Sequence, residues 1–122
     1  MLCCKVLDNT TYMSYKLQMK LLTDYLNRPI VLSDESWAHI VAGHAEITVE
    51  MIEQTLKDPV EVRESAHSLT TYLYYTIKLS AESKHRYICV AVKNTELGEN
   101  YIQTAMTTSY IKNGKVVYRR ED

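Results

Sequence analysis

The segment SDESWAHIVAGHAE, residues 33–46, contains a helix start, a helix end and two of the four histidines of the chain. Ser33 is a residue type that commonly caps a helix N-terminus, and the two carboxylates that follow it favour the positive end of a helix dipole. Gly43 is a residue type that commonly ends a helix with a positive φ. The segment therefore predicts a helix that begins after Ser33 and ends near Gly43, with His44 at its exit.

The two histidines of this segment are candidates for proton transfer rather than for metal binding. His39 and His44 are five residues apart, which separates them by about 140° on a continuous helix, whereas zinc-binding pairs lie four residues apart on one face. If the helix stops near Gly43, the two imidazoles come together with Glu46 beside the second, and histidine exchanges protons near neutral pH. The alternative is structural: His44 packs against Trp37 while His39 faces solvent.

The size and composition of the chain indicate one globular domain. Its 122 residues suffice for a single hydrophobic core, and 46% hydrophobic with 24% charged residues is the balance of a folded protein. We expect a helical extension over residues 1–28 and one α+β domain over residues 29–122. The net charge of -1 gives no overall attraction to nucleic acid. Such a role would need a local patch, for which residues 84–86 and the cations of residues 112–120 are candidates.

Cysteine usage and hydropathy favour a cytoplasmic location. Cys3 and Cys4 are adjacent, Cys89 lies in an apolar run, and no signal peptide with a cleavage site is recognisable. No apolar run approaches the roughly 20 residues that cross a bilayer. We therefore expect a reduced, cytoplasmic protein that does not enter membranes.

The N-terminal half of the chain predicts helices. A stripe of apolar residues favours a helix over residues 14–26, although part of the same stretch alternates as a strand does. Residues 30–32 form a short extended segment. Thr48 can cap a second helix, which Asp58-Pro59 ends.

The C-terminal half changes to the period of two that is typical of strands. Residues 60–64 and 71–77 predict a hairpin, and residues 88–92 are apolar enough for a central strand. Residues 101–106 predict a further strand of the same sheet.

Asn113-Gly114 is a tight-turn dipeptide and predicts a last small hairpin between residues 111–112 and 115–118. The order of elements is then helices first and strands afterwards. The predicted fold class is α+β, with N-terminal helices covering one face of an antiparallel sheet.

Several short motifs occur in the order found in a known family. They are residues 29–40, His44-Ala45-Glu46, Tyr74-Tyr75, residues 86–93, and residues 102–108 with 111–114. This pattern resembles a family of small proteins common in cyanobacteria, which is grouped with the phage-type barnase, EndoU, colicin and RelE-like nucleases. The resemblance extends from about Met19 to Lys115. It implies two N-terminal helices on a four-stranded antiparallel sheet, and metal-independent cleavage of RNA that needs no cofactor.

The resemblance also implies roles for individual residues. In this chemistry the ribose 2′-hydroxyl attacks the adjacent phosphorus, so the protein supplies a base, an acid, and cations or hydroxyls for the phosphate. His39 and His44 are the implied proton-transfer residues. The other implied site residues are Thr104 and Thr107, which would meet the phosphate, and Glu46, Tyr75, Lys93 and Lys112, which would complete the substrate-binding set.

The chain departs from the family pattern at two positions. Ala45 stands where relatives often have proline, and Met106 stands where a tyrosine is common. The second departure and the weak charge favour an alternative, a non-catalytic RNA-binding or protein-interaction module that keeps the fold. A third reading is a metalloprotein, which lacks any recognised ligand spacing among its histidines, His39, His44, His67 and His85.

The expected partners follow from the resemblance. They are RNA, a cognate antitoxin or inhibitor protein, and a second copy of the chain in a homodimer.

Overall fold

The computed structural model describes residues 20–78, 86–95 and 97–121, and these form seven strands and two helices. The strands are β1 (Lys20–Thr23), β2 (Pro29–Leu32), β3 (Glu61–Ser65), β4 (Thr71–Ile77), β5 (Tyr87–Asn94), β6 (Asn100–Thr108) and β7 (Gly114–Arg119). The helices are α1 (Asp34–Gly43) and α2 (Val49–Lys57).

All seven described strands join one mixed sheet in the order β1-β2-β6-β5-β4-β3-β7. β3 to β6 are consecutive antiparallel neighbours, β1 and β7 add antiparallel pairs at the two edges, and β2 runs parallel to β6. The predicted four-stranded antiparallel sheet with N-terminal helices is therefore wrong, because those four strands are the middle of a larger mixed sheet. The hairpin of β3 and β4 and the central position of β5 are confirmed.

The first described residues form a hairpin and not the helix predicted over residues 14–26. β1 pairs with β2 in register from Lys20 opposite Leu32 to Thr23 opposite Pro29. The predicted boundary between extension and domain falls at the start of β2, inside this hairpin. Residues 1–19, which make up the rest of the predicted extension, lie outside the described residues.

Asp24 secures the turn of this hairpin from a buried position. One oxygen of its carboxylate accepts hydrogen bonds from the backbone N–H groups of Leu26 and Arg28, at 3.0 and 2.9 Å. The other oxygen accepts from the Arg28 side chain at 2.9 Å and from the Tyr74 hydroxyl at 2.8 Å. Because Tyr74 lies on β4, this network ties the β1–β2 hairpin to the centre of the sheet.

Both helices begin at the predicted caps. The Ser33 hydroxyl accepts a hydrogen bond from the backbone N–H of Ser36 at 3.1 Å, and Thr48 caps α2 in the same way. α1 ends at Gly43 as predicted, but the glycine does not have a positive φ. Instead, the C-cap is His44 with φ -142. His44 therefore lies at the helix exit, as expected, although the helix does not end through a glycine with a positive φ.

The two faces of the sheet are covered by different parts of the chain. α1 packs on β6, and α2 packs on β4 and β5. The face beneath them, which we call the helix face, holds the main core, including Ile40, Ile52, Leu56, Ile88, Val90, Val92, Ile102 and Ala105. Tyr75, Cys89 and Ala91 are also buried but do not join this core, because strand alternation directs their side chains to the opposite face.

Residues 109–113, which we call the strap, cover that opposite face, the strap face. They connect β6 to β7, which lie four strand spacings apart in the sheet. Four spacings are about 19 Å, and the six Cα steps from residue 108 to residue 114 reach at most about 21 Å. A connection this short must cross the strap face in a nearly extended conformation. Accordingly, the backbone N–H of Lys112 donates a hydrogen bond to the Tyr75 hydroxyl at 3.1 Å.

β7 pairs with β3, so the small hairpin predicted around Asn113-Gly114 is wrong. Gly114 lies opposite Ser65, and a Cβ atom at this position would collide with the backbone carbonyl of Glu64. The glycine is needed because β7 approaches β3 closely here, and not because the chain reverses onto residues 111–112.

Candidate functional site

Three predicted site residues meet where α1 ends. Oε2 of Glu46 accepts a hydrogen bond from the Thr107 hydroxyl at 2.9 Å and lies 4.0 Å from Nδ1 of His44. The side chain of His44 is 36% exposed and that of Glu46 is 42% exposed. We call this solvent-accessible cluster the helix-exit site.

A register shift in β6 explains why Thr107 reaches the helix exit. β5 and β6 change register between Ala91 and Val92, so Ile102 and Ala105 both face the helices although they are an odd number of residues apart. Thr107 follows Ala105 at a spacing of two and therefore faces the same way. In a regular strand with Ile102 in the core, Thr104 would lie on the helix face and Thr107 on the strap face.

The electrostatic environment keeps Glu46 ionised. Its own backbone N–H lowers the pKa of its carboxyl, and against the effect of partial burial the Thr107 hydroxyl, His44 and Lys78 lower it further. The carboxylate lies on the Nδ1 side of the His44 imidazole, and so Nε2 points away from it. At 4.0 Å the two side chains are not hydrogen-bonded, and the other ring nitrogen is left to act on a substrate.

One cation, Lys78, lies at the rim of this site. The backbone N–H of Lys78 donates a hydrogen bond to the carbonyl of Arg86 at 2.7 Å, so the two residues face each other across the ends of β4 and β5. Lys78 is close enough to Glu46 to influence its ionisation. Lys78 thus supplies local positive charge beside the carboxylate, and Arg86 lies across the strand pair from Lys78.

A cavity of about 260 Å³ adjoins the helix-exit site. Ile88 on its wall is the register partner of Thr107, and Lys78 lines the same wall. The remaining lining residues come from α2 and the end of β4 and are Met51, Gln54, Thr76 and Ile77.

The other predicted site residues of the sheet and the strap lie elsewhere. Thr104 is paired with Ala91 and Tyr75 with Cys89, which places both on the strap face. Lys93 shares this face but lies opposite Tyr101, toward the far end of β5 from Thr107. The structure therefore brings together His44, Glu46 and Thr107 and separates them from Thr104, Tyr75, Lys93 and Lys112.

Tyr75 and Lys112 attach the strap to the sheet. The Tyr75 side chain is completely buried, its hydroxyl accepts the Lys112 N–H, and the thiol of Cys89 lies beside it. Burial raises the pKa of Tyr75 and raises the pKa of Cys89 to about 11. Both groups therefore remain protonated near neutral pH. In addition, the Arg63 guanidinium donates a hydrogen bond to the Lys112 carbonyl at 3.3 Å.

His39 and Met106 are not among the residues that the described hydrogen bond and ion pair join at the helix-exit site. His39 is exposed on α1. Met106 is paired with Cys89 and faces the strap, because it is adjacent to Thr107 on the same strand. The departure from the family pattern at Met106 therefore does not alter the helix-exit site.

Sequence reasoning did not identify Lys78 as a site residue. The alternation of side-chain directions along β4 could have indicated that Lys78 faces the site. Tyr74 is in the main core, so Thr76 and Lys78 face the same way, toward the helices.

The described residues contain neither a cluster of metal ligands nor a helix that could cross a membrane. No group of three or more His, Cys, Asp or Glu side chains in ranges 20–78, 86–95 and 97–121 could hold a metal ion. Within the same ranges, neither helix has the length and apolar character needed to span a membrane.

Comparisons with family models, curated proteins and solved structures found no match to this chain.

Proposed function

We propose that the protein is a toxin-like endoribonuclease that cleaves RNA without a metal, by general acid–base catalysis at the helix-exit site. The observation that carries this proposal is the 2.9 Å hydrogen bond between Thr107 and Glu46, which assembles a hydroxyl, a carboxylate and the His44 imidazole from distant parts of the chain. The resemblance of the sequence motifs to the barnase, EndoU, colicin and RelE-like nucleases supports the choice of RNA.

The proposed reaction assigns one role to each residue of the site. Nε2 of His44 accepts the proton of a ribose 2′-hydroxyl, whose oxygen attacks the adjacent phosphorus while the bond to the 5′ oxygen breaks. Glu46, to which the Thr107 hydroxyl donates its hydrogen bond, stabilises the imidazolium that forms on His44, and Lys78 stabilises the charge that develops on the phosphate. The products are a 2′,3′-cyclic phosphate and a 5′-hydroxyl. His39 remains the predicted donor of a proton to the leaving oxygen.

The net charge of the protein does not attract RNA, so binding in this proposal depends on local cations. Neutralisation of phosphates by lysine and arginine supplies much of the affinity for a polyanion, and the chain has a net charge of -1. In this proposal, Lys78 and Arg86 provide that attraction locally. The reducing cytoplasm is the proposed location, and an antitoxin or inhibitor protein and a homodimer remain predicted partners.

A second candidate is a non-catalytic RNA-binding or protein-interaction module. The observation that favours it is the separation of Tyr75 and Lys112 from the helix-exit site, since both are engaged in holding the strap. In this case the fold would be retained without the complete set of catalytic groups.

The test is the identity of the cleavage products. End-labelled RNA is incubated with the wild-type protein and with His44→Ala in the presence of EDTA, and an RNA with 2′-O-methyl ribose serves as the matched substrate control. We expect fragments with 2′,3′-cyclic phosphate ends from the wild type, and none from the methylated RNA. Equal background from both proteins, with RNA binding retained, would favour the second candidate.

A further inference from the structure

The cavity beside the helix-exit site has the features of a pocket for a flat, hydrogen-bonding ring. Ile88 and Met51 give it apolar walls, while Gln54 and Thr76 provide an amide and a hydroxyl. A nucleobase needs apolar contacts for its faces and hydrogen-bonding groups for its edge. The volume of about 260 Å³ is sufficient for one base and its solvent.

The position of Met51 on this wall is fixed by the start of α2. Its backbone N–H donates to the Thr48 hydroxyl at 3.2 Å, and its sulfur accepts the Thr48 N–H at 3.4 Å. A thioether held in this way can contact an aromatic ring edge.

Gln54 is the lining residue best suited to distinguish one base from another. Its backbone carbonyl ends α2 by accepting the N–H of Asp58, and its side-chain amide has no hydrogen bond to any other described residue. An amide presents a donor and an acceptor in one plane, which is how glutamine recognises the edge of a base.

The charges around the cavity match a nucleotide rather than an uncharged ligand. Lys78 belongs both to the cavity wall and to the rim of the helix-exit site, and Arg86 lies opposite it. A phosphate between this rim and Thr107 would leave its attached base next to Ile88, since Ile88 and Thr107 are cross-strand partners about 5 Å apart at Cα.

We propose that this cavity binds the nucleobase of the RNA nucleotide whose phosphate occupies the helix-exit site, and that Gln54 determines which base is accepted. This inference rests on the proposed ribonuclease function and assigns a specificity pocket to the same site. It is separable from catalysis, because Gln54 lies on α2 and does not contact His44, Glu46 or Thr107 through any described hydrogen bond.

The test uses the four nucleoside 3′-monophosphates as probes and two matched variants. NMR of the Met51 and Ile88 methyl groups reports occupation of the cavity, and the distribution of cut sites on a mixed-sequence RNA reports the base preference. Gln54→Leu changes the proposed reading residue. Gln103→Leu makes the same chemical change at an exposed position on β6, away from the cavity.

We expect one monophosphate to shift both methyl signals more strongly than the others. In Gln54→Leu the preference between bases should fall by roughly 10-fold, the effect of losing one paired contact to a base edge, whereas Gln103→Leu should keep it. Thr76→Val, on the same cavity wall, provides a second variant with an expected loss in the same direction.

Other results would overturn the inference. RNA cleavage with an unchanged base preference in both Gln54→Leu and Thr76→Val would refute the pocket and leave the ribonuclease function standing. Methyl shifts that depend on protein concentration without any nucleotide would instead assign the cavity to a second copy of the chain. Selective monophosphate binding without RNA cleavage would support the pocket and refute the ribonuclease function.

Discussion

The hydroxyl of Thr107 donates a hydrogen bond of 2.9 Å to the carboxylate of Glu46, across 61 positions of the sequence. This bond joins the exit of α1 to β6. Both elements contribute residues to the main core, Ile40 from α1 and Ile102 with Ala105 from β6. The helix-exit site is therefore built on packed elements, and substitutions at its members can be compared with substitutions of the same kind on the opposite face.

Thr107→Val should reduce RNA cleavage by about 10-fold, because the variant loses the hydroxyl that holds Glu46 in place. Thr104→Val makes the same change on the strap face of the same strand. We expect it to retain cleavage within about twofold, since Thr104 is separated from the site by the sheet. The measurement is the single-turnover cleavage rate of both variants. A larger loss for Thr104→Val than for Thr107→Val would place the active site on the strap face.

Gly114→Ala should destabilise the fold by about 1–3 kcal/mol, as overpacking does, because the added Cβ would collide with the carbonyl of Glu64 and push β7 away from β3. Gly43→Ala is the matched control, since a Cβ there has no atom within 4 Å and Gly43 belongs to α1. That change should stabilise the protein by about 0.5–1 kcal/mol. Urea unfolding gives both values. Equal effects of the two substitutions would contradict the close pairing of β7 with β3.

Asp24→Asn should lower the free energy of unfolding by about 2 kcal/mol, because the carboxylate is buried and accepts hydrogen bonds from Leu26, Arg28 and Tyr74. Asp34→Asn, in the exposed first turn of α1, is the matched control and should cost only a few tenths of a kcal/mol. Thermal and urea unfolding measure the two losses. Similar losses for both variants would show that the Asp24 network does not support the β1–β2 hairpin.

Acid should destabilise the protein through Asp24 and Glu61. Burial raises the pKa of each carboxyl, but hydrogen bonds to the carboxylate outweigh this effect, so both pKa values are lowered in the folded protein. Asp24 receives these bonds from Arg28 and Tyr74. Glu61 receives them from Arg119 and Arg63.

The stabilising contribution of these two carboxyls is complete above their usual pKa values of 3.8 and 4.5. It is lost as the pH falls below those values and through the lower pKa of each group in the folded state. Unfolding free energies measured between pH 7 and pH 3 should decline less steeply in Asp24→Asn than in the wild type. Parallel curves would contradict the lowered pKa of Asp24.

The helices and the central strands could be predicted from local sequence because their signals are local. Ser33 and Thr48 are side-chain caps, and the apolar run of β5 indicates a strand buried on both faces. β1 fell within the stretch predicted as a helix, and β2 was predicted only as an extended segment and not as a strand of the sheet. Each has four residues, too few for a period to be recognised, and their place in the sheet depends on pairing with β6 and on the buried Asp24.

The candidate site was predictable in part for the same reason. His44 and Glu46 are neighbours in sequence, so their proximity follows from the end of α1. Which threonine of β6 joins them depends on the register shift opposite Ala91 and Val92, a feature of the pairing of two strands that the sequence of either one does not reveal. The position of Tyr75 beneath the strap likewise depends on the partner chosen by β7.

The most direct test of the ribonuclease proposal is the single-turnover rate of RNA cleavage in EDTA by the wild type, His44→Ala and His39→Ala, purified identically and shown to be folded. The account predicts that His44→Ala loses about 100-fold or more of the rate, the usual contribution of a general acid or base. It also predicts a comparable loss in His39→Ala, because this variant lacks the predicted donor of a proton to the leaving oxygen. Cleavage by His44→Ala at the wild-type rate would contradict it.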